Sequence, residues 1–324
     1  MSKTLEIIKA LSEPTVKLMD MVGSAIGTAY EPRHKRKMAD ATAYEISVIG
    51  DAMRNAADLP VLYNQEGVVI NSDDFNRLMQ RAGTRLALQE TIKQHNIESV
   101  IDNAYEVLEK EDVCSEEPVE QGWINRFFNS VADVSDEDLQ NLWGKVLAGE
   151  IKQPHSYSLR TLETLKNLSK YEAQLFQKIL PLVVECDGES FVTSKSSIYS
   201  KYGITYDDIM RLDECGLIIS DGMISTTVKL SQDSVIIHNK NYALVTEGIN
   251  RETSFTIGVH CLTIAGREIL SVLEYESDNK FFVDFAEYCF KENRYSKMKI
   301  RKIKSINDNI IHTTGEAIRE FNLI

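Results

Sequence analysis

The stretch Val134-Ser-Asp-Glu-Asp-Leu-Gln-Asn-Leu-Trp-Gly-Lys-Val-Leu-Ala-Gly-Glu150, followed by Ser158-Leu-Arg-Thr-Leu-Glu-Thr-Leu-Lys-Asn-Leu-Ser169, decides the fold class. Leu139, Leu142, Trp143 and Val146 recur at helical spacing and form one apolar face. Ser135 is expected to cap this helix, with Asp138 three residues on in the place of a capping-box acid. Gly149 is expected to end it. The acids Asp136, Glu137 and Asp138 suit a helix N-terminus. Every residue of the run serves packing or capping, so it predicts a helical module without chemistry of its own.

Toward the N-terminus, Trp123, Ile124, Phe127, Phe128 and Val131 give a second amphipathic helix. Large aromatics dominate interfaces as well as cores. Trp123, Phe127, Phe128 and Trp143 are therefore expected to form the interface of a homo-oligomer, at least a dimer. Glu109 to Pro118 is acidic and proline-terminated, which reads as a linker. Residues 72–95 and 96–111 read as two helices. Arg33, Lys35, Arg36 and Lys37 stand where a helix begins, against the preference of the macrodipole for acids there. A cluster placed against helix stability suits either a solvated face or a phosphate, lipid or acidic partner. Residues 14–30 read as a small-sided helix with Gly23 and Gly27 at the spacing of paired membrane helices. Lys17 and Asp20 oppose insertion, and a tightly packed helix is the alternative.

Toward the C-terminus, Thr161 to Val184 reads as one long helix. The order that follows is short helix, helix, Gly216 and strands, which is the order of a winged helix. Its third helix, Tyr206 to Cys215, holds four acids against Arg211 alone, the wrong sign for phosphate. A structural or protein-contact module is expected. A hairpin turning on Asn239-Lys-Asn241, a half-buried strand from Phe255 to Cys261, a helix capped by Thr263 and a helix over Phe281–Lys291 come next. Arg294, Lys297, Lys299, Arg301, Lys302 and Lys304 make the chain's main basic tract, with no acid among them. With Met298 and Ile300 facing inward on a strand, Lys297, Lys299 and Arg301 share the outward face. Such a face guards a sheet edge or meets an acidic protein or phosphate. Sequence-specific DNA binding is not expected.

The fold expected is a mainly α N-terminal two-thirds and an α+β C-terminal region with a winged-helix-like segment. Three domains are drawn: residues 1–112, 113–186 and 187–324. A chain of 324 residues is long for a single core. Its net charge of -13 repels nucleic acid and anionic membrane as a whole. The five cysteines lack CxxC spacing and read as free thiols in a reducing cytoplasm. No secretory h-region or long apolar run is present, so a cytoplasmic location is expected and membrane contact is not favoured. The six histidines form no HxxxH or HExxH pair, and no Walker, GxGxxG or GxSxG motif occurs. No catalytic residue, cofactor site or metal ligand is assigned. The one constellation that folding has to assemble is His260 and His312 with Asp284 or Glu287.

Trp123, the Asp136–Glu150 helix and Ser158-Leu-Arg-Thr-Leu-Glu163 together resemble an uncharacterised bacterial domain family. Ile26-Gly-Thr-Ala-Tyr-Glu-Pro32 and Arg36 match its opening segment. The resemblance spans residues 20–185 and leaves the C-terminal region unmatched. It implies no chemistry, and an association with mobile elements and phage defence. The function expected is that of a non-enzymatic interaction protein that assembles with itself or an unidentified protein partner. The rival readings are a membrane-acting effector using residues 14–30 with the Arg33–Lys37 cluster, and an enzyme with a C-terminal site.

Overall fold

The structure, a computed structural model, describes residues 12–26, 72–230, 235–247, 253–292, 297–307 and 310–321. The chain divides into two compact units, Met1–Leu162 and Glu163–Ile324. The first is helical and the second is a helix-covered antiparallel sheet, so the mainly α then α+β order holds.

In the first unit, α1 (Glu13–Ile26), α2 (Ser72–Leu108), α3 (Gln121–Val131) and α4 (Glu137–Lys152) precede α5 (Leu159–Asn167), which spans the division. Asp136, not Ser135, caps α4: its carboxylate accepts the Asp138 and Leu139 amides at 3.1 and 3.2 Å. The longer acceptor arm wins because the Ser135 hydroxyl is turned to the Asn96 amide. Gly149 does not end the helix, which runs on to Lys152. The two helices expected over 72–111 are one of 37 residues. No Gly or Pro breaks it near residue 96, and the buried Asn96 side chain donates to Ala132 O at 2.8 Å instead of competing with the helix backbone.

Leu18 and Val22 of α1 are fully buried in this unit with Val100, Ile101, Ala104 and Leu108 of α2 and with Trp143, Val146 and Leu147 of α4. Within the helix read as small-sided, Leu18 and Val22 are thus core residues, and residues 27–30, with Gly27, lie outside the described residues. Lys17 donates through Nζ to Ser115 O, Glu117 O and Ile151 O. Lys152 pairs with Glu111 at 2.7 Å, and Ser115 N donates to Lys152 O. The acidic stretch read as a linker is therefore fastened to the helices at both faces.

In the second unit the long helix expected over 161–184 is interrupted. Ser169 makes a capping box with Glu172 and starts α6 (Lys170–Ile179). A 3-10 turn at Leu180–Leu182, with Pro181 removing a donor, leads into β1 (Val184–Cys186). Then come β2 (Glu189–Thr193), α7 (Ser196–Tyr199), α8 (Tyr206–Glu214), β3 (Ile218–Ile219), β4 (Ser225–Leu230), β5 (Val235–His238), β6 (Tyr242–Glu247), β7 (Thr253–Leu262), α9 (Ile264–Leu270), α10 (Asn279–Glu292), β8 (Lys297–Asn307) and β9 (Ile310–Phe321). The strand order is β3-β7-β2-β1-β5-β6-β8-β9, with β4 also on β7, and every pairing is antiparallel. The winged-helix-like segment is α6, β2, α7, α8, then β3 and β4 returning as β7, with the β5–β6 hairpin inserted between. Thr205 and Asp208 box the start of α8, and Gly216 ends it at φ 75°. The β5–β6 turn is held by Asn239 Oδ1, which accepts the Asn241 and Tyr242 amides.

Two expectations about this sheet change. The strand read as half-buried is covered on both faces where β7 crosses β2, since Val259, His260 and Leu262 are all buried. The basic strand β8 is not an edge: β6 lies on one side and β9 on the other. Its inward face does hold Met298 and Ile300, both fully buried.

Candidate interaction surface

Trp123, Phe127, Phe128 and Trp143 are buried in the first unit and packed on one another. Trp123 stacks on Phe127 at 5.0 Å between ring centroids, and Phe127 meets Trp143 edge-on at 5.3 Å. Their apolar surface is consumed by the unit's own core, because helices this short bury their widest side chains first against each other. They offer almost nothing to a second chain.

The signature run around them is a clasp. A Cβ at Gly144 would sit 2.5 Å from Asn103 Cβ and 3.0 Å from Ala104 N, so glycine lets α4 cross α2 closely. A Cβ at Gly149 would strike the Tyr157 ring. The buried Glu150 carboxylate accepts His155 N at 2.8 Å and Tyr157 N at 3.0 Å, and Tyr157 O accepts Trp123 Nε1 at 2.8 Å. Burial is the largest influence on Glu150 and pushes its pKa up against the pull of these amides. Gly144, Gly149 and Glu150 of the run are thereby accounted for by packing.

The basic residues divide. Arg33, Lys35, Arg36, Lys37 and Arg294 lie outside the described residues. Lys297, Lys299 and Arg301 lie on the face of β8 opposite Met298 and Ile300. Lys299 pairs with Glu320 on β9 at 3.0 Å, and Arg301 is half-buried. Lys302 and Lys304 are exposed farther along the strand. The tract is split between the two faces of a ribbon and partly neutralised within it.

The possible catalytic constellation does not assemble. His260 is buried on β7 beside the Tyr199 ring, and neither ring nitrogen has a hydrogen-bond partner among the described residues. Burial lowers its pKa, partly opposed by Asp213. His312 is exposed on β9 opposite Ser305. Asp284 accepts from Tyr202 Oη at 3.0 Å, and Glu287 is held by Lys291 and Arg319. All five thiols are shifted upward chiefly by burial, Cys186 and Cys215 to about 11, which suppresses thiolate reactivity. Among the described residues, no group of three His, Cys, Asp or Glu side chains is placed to hold a metal ion.

The surface that stands out was not singled out in sequence. From Arg77 to His95, α2 has no buried residue; burial starts at Asn96. Leu78, Leu86, Leu88 and Ile92 are each more than half exposed on this stretch. Arg77, Arg81 and Arg85 stand one turn apart, exposed, and make no ion pair among the described residues. Arg81, Arg85, Leu88 and Ile92 line a shallow groove of about 450 Å³ along the helix. The sequence signal was available as arginines at i, i+4 and i+8, but only the absence of packing gives it meaning.

A helical unit with an unpacked helix stretch, joined in one chain to a winged-helix-like α+β unit, is the class of protein these features define. The chain belongs to the family described as "Protein of unknown function (DUF2806)", whose profile matches residues 80–286. That match begins later than the resemblance over residues 20–185 and extends through most of the α+β unit. No curated protein and no solved structure matches the chain.

Proposed function

We propose that this chain is a non-catalytic interaction protein that works by assembly, with residues 77–95 of α2 as its docking element. The observation that carries the reading is the helix itself. A helix stretch without tertiary packing is marginal in water, because most helical stability comes from burying a face. This one combines four exposed large aliphatic side chains with three exposed arginines that make no ion pair among the described residues. The acidic α8 and the net charge of -13 favour a protein partner over nucleic acid. A setting in phage defence or stress is part of the proposal and rests on the family resemblance alone. A cytoplasmic location fits it, and no helix among the described residues is long and apolar enough to cross a membrane.

The test is sedimentation of the full chain at about 10–100 μM, beside a Leu88→Glu/Ile92→Glu variant, with partner capture from phage-challenged cells. Both residues are exposed, so the variant should keep wild-type circular dichroism and melting. Loss of self-association or of a captured partner supports the reading. Undiminished assembly in the variant would move the docking surface elsewhere.

A further inference from the structure

A flank of α2 beside its buried face carries a heptad-spaced seam. Val100, Ile101, Ala104 and Tyr105 face inward and are buried. Beside them one flank runs through Arg77, Arg81 and Thr84 to Leu88, then Thr91 and His95 to the half-buried Glu98 and Asp102, with spacings alternating between four and three residues, and meets the core at Tyr105. This series maps onto itself when reversed about the point between Gln89 and Glu90. Arg77 then stands opposite Asp102, Arg81 opposite Glu98, Thr84 opposite His95, and Leu88 opposite Thr91. One half of the seam is cationic and the other anionic, with an exposed leucine beside the centre.

We infer that two copies of this chain pair antiparallel through this face of α2, about a two-fold axis at Gln89–Glu90. The inference rests on the reading of α2 as the docking element and names its occupant: a second copy. Charge complementarity selects it. An in-register parallel pair would set the arginines of one copy against those of the other, and like charges in facing positions repel. The antiparallel pair sets each arginine against a carboxylate, and a two-fold contact closes after two copies. Glu98 already accepts from Gln94 Nε2 and Asp102 also has a partner within the chain, but a carboxylate has room for several donors. With Leu88 as the main apolar residue of the seam, the pairing is expected to be weak and salt-sensitive.

The experiment uses the full chain with two charge-reversal variants, Arg77→Glu/Arg81→Glu and Glu98→Arg/Asp102→Arg, in sedimentation equilibrium at low and high salt. Each variant alone should dimerise at least tenfold more weakly than wild type. An equimolar mixture of the two should recover the dimer. Because Glu98 and Asp102 are half-buried, folding of the second variant is checked by circular dichroism, and a second measurement stands apart from it. Spin labels placed at position 77 through a non-natural amino acid should lie about 37 Å apart in the dimer, 25 residues at about 1.5 Å each. A short label distance, a dimer indifferent to the reversals, or a wild-type monomer at about 100 μM would overturn the pairing. A dimer that ignores the reversals but is lost in Leu88→Glu/Ile92→Glu overturns the register and keeps the docking reading. One that survives both sets of variants removes both.

Discussion

Removing the Glu150 carboxylate tests whether the signature run is a clasp. In Glu150→Ala the amides of His155 and Tyr157 lose the acceptor they reach at 2.8 and 3.0 Å. A buried donor left unsatisfied costs about 1–3 kcal/mol, which applies to Tyr157 N, while the amide of the exposed His155 can turn to water, so the change should cost about 1–4 kcal/mol. Glu150→Gln keeps the volume and one acceptor oxygen and should cost about half as much. The assay is urea unfolding followed by tryptophan emission. The chain has two tryptophans, Trp123 and Trp143, both in the first unit, so the signal reports that unit. Trp123 is itself tied to Tyr157 O and should shift its emission as the loop loosens. The pH dependence has a defined sign. Burial raises the Glu150 pKa above its ordinary 4.5, so the folded state holds the proton more tightly than the unfolded chain. Its contribution to stability therefore rises as pH falls through the raised value and levels off below 4.5. Glu150→Gln should lack that component. A loss under about 0.5 kcal/mol in Glu150→Ala, the size of an ordinary surface change, would refute the clasp.

Three further outcomes follow from the same packing. Gly144→Ala should force α2 and α4 apart and cost about 1–3 kcal/mol by thermal unfolding, since the new methyl meets Asn103 and the Ala104 backbone. His260 is held neutral by burial, with its pKa below the ordinary 6.5, so the second unit should lose stability as pH falls below 6.5 toward the folded value. His260→Leu should flatten that acid slope in far-ultraviolet unfolding curves, and an unchanged slope would place its origin elsewhere. Lys17→Met removes three donors to carbonyls and should speed amide exchange across residues 113–117 without unfolding α1. Unaltered exchange there would mean that the Lys152–Glu111 pair and the Ser115–Lys152 backbone bond hold the segment without it.

Local chemistry was legible in sequence where one residue controls one turn. Thr205, Thr263 and the Asn239 turn act as their side chains predict. Caps were misread where two acceptors compete within one turn, as at Ser135 and Asp136. Helix continuity was misread at Asn96 and Ser169 because the same polar side chain ends one helix and packs inside another. At Asn96 the outcome depends on Ala132, dozens of residues away, and at Ser169 on the capping box with Glu172. The aromatic cluster was correctly located but assigned outward, because composition cannot tell a core from an interface when both are built from Trp and Phe. The α2 surface was missed for the opposite reason: its arginines are ordinary, and only their exposure on a stretch without a buried residue distinguishes them.

The boundary at residue 286 has a practical reading. It falls inside α10, ahead of Cys289, which is fully buried, and of Phe290, which stacks on Phe321 of β9. It also removes β8, the partner of β6 from Tyr242 to Glu247. A polypeptide trimmed to the matched region would open the sheet between β6 and β8 and bare a strand holding Leu244 and Val245, a template for aggregation. The matched region is thus smaller than what folds together. Fragments meant for biophysical work need to run through Phe321.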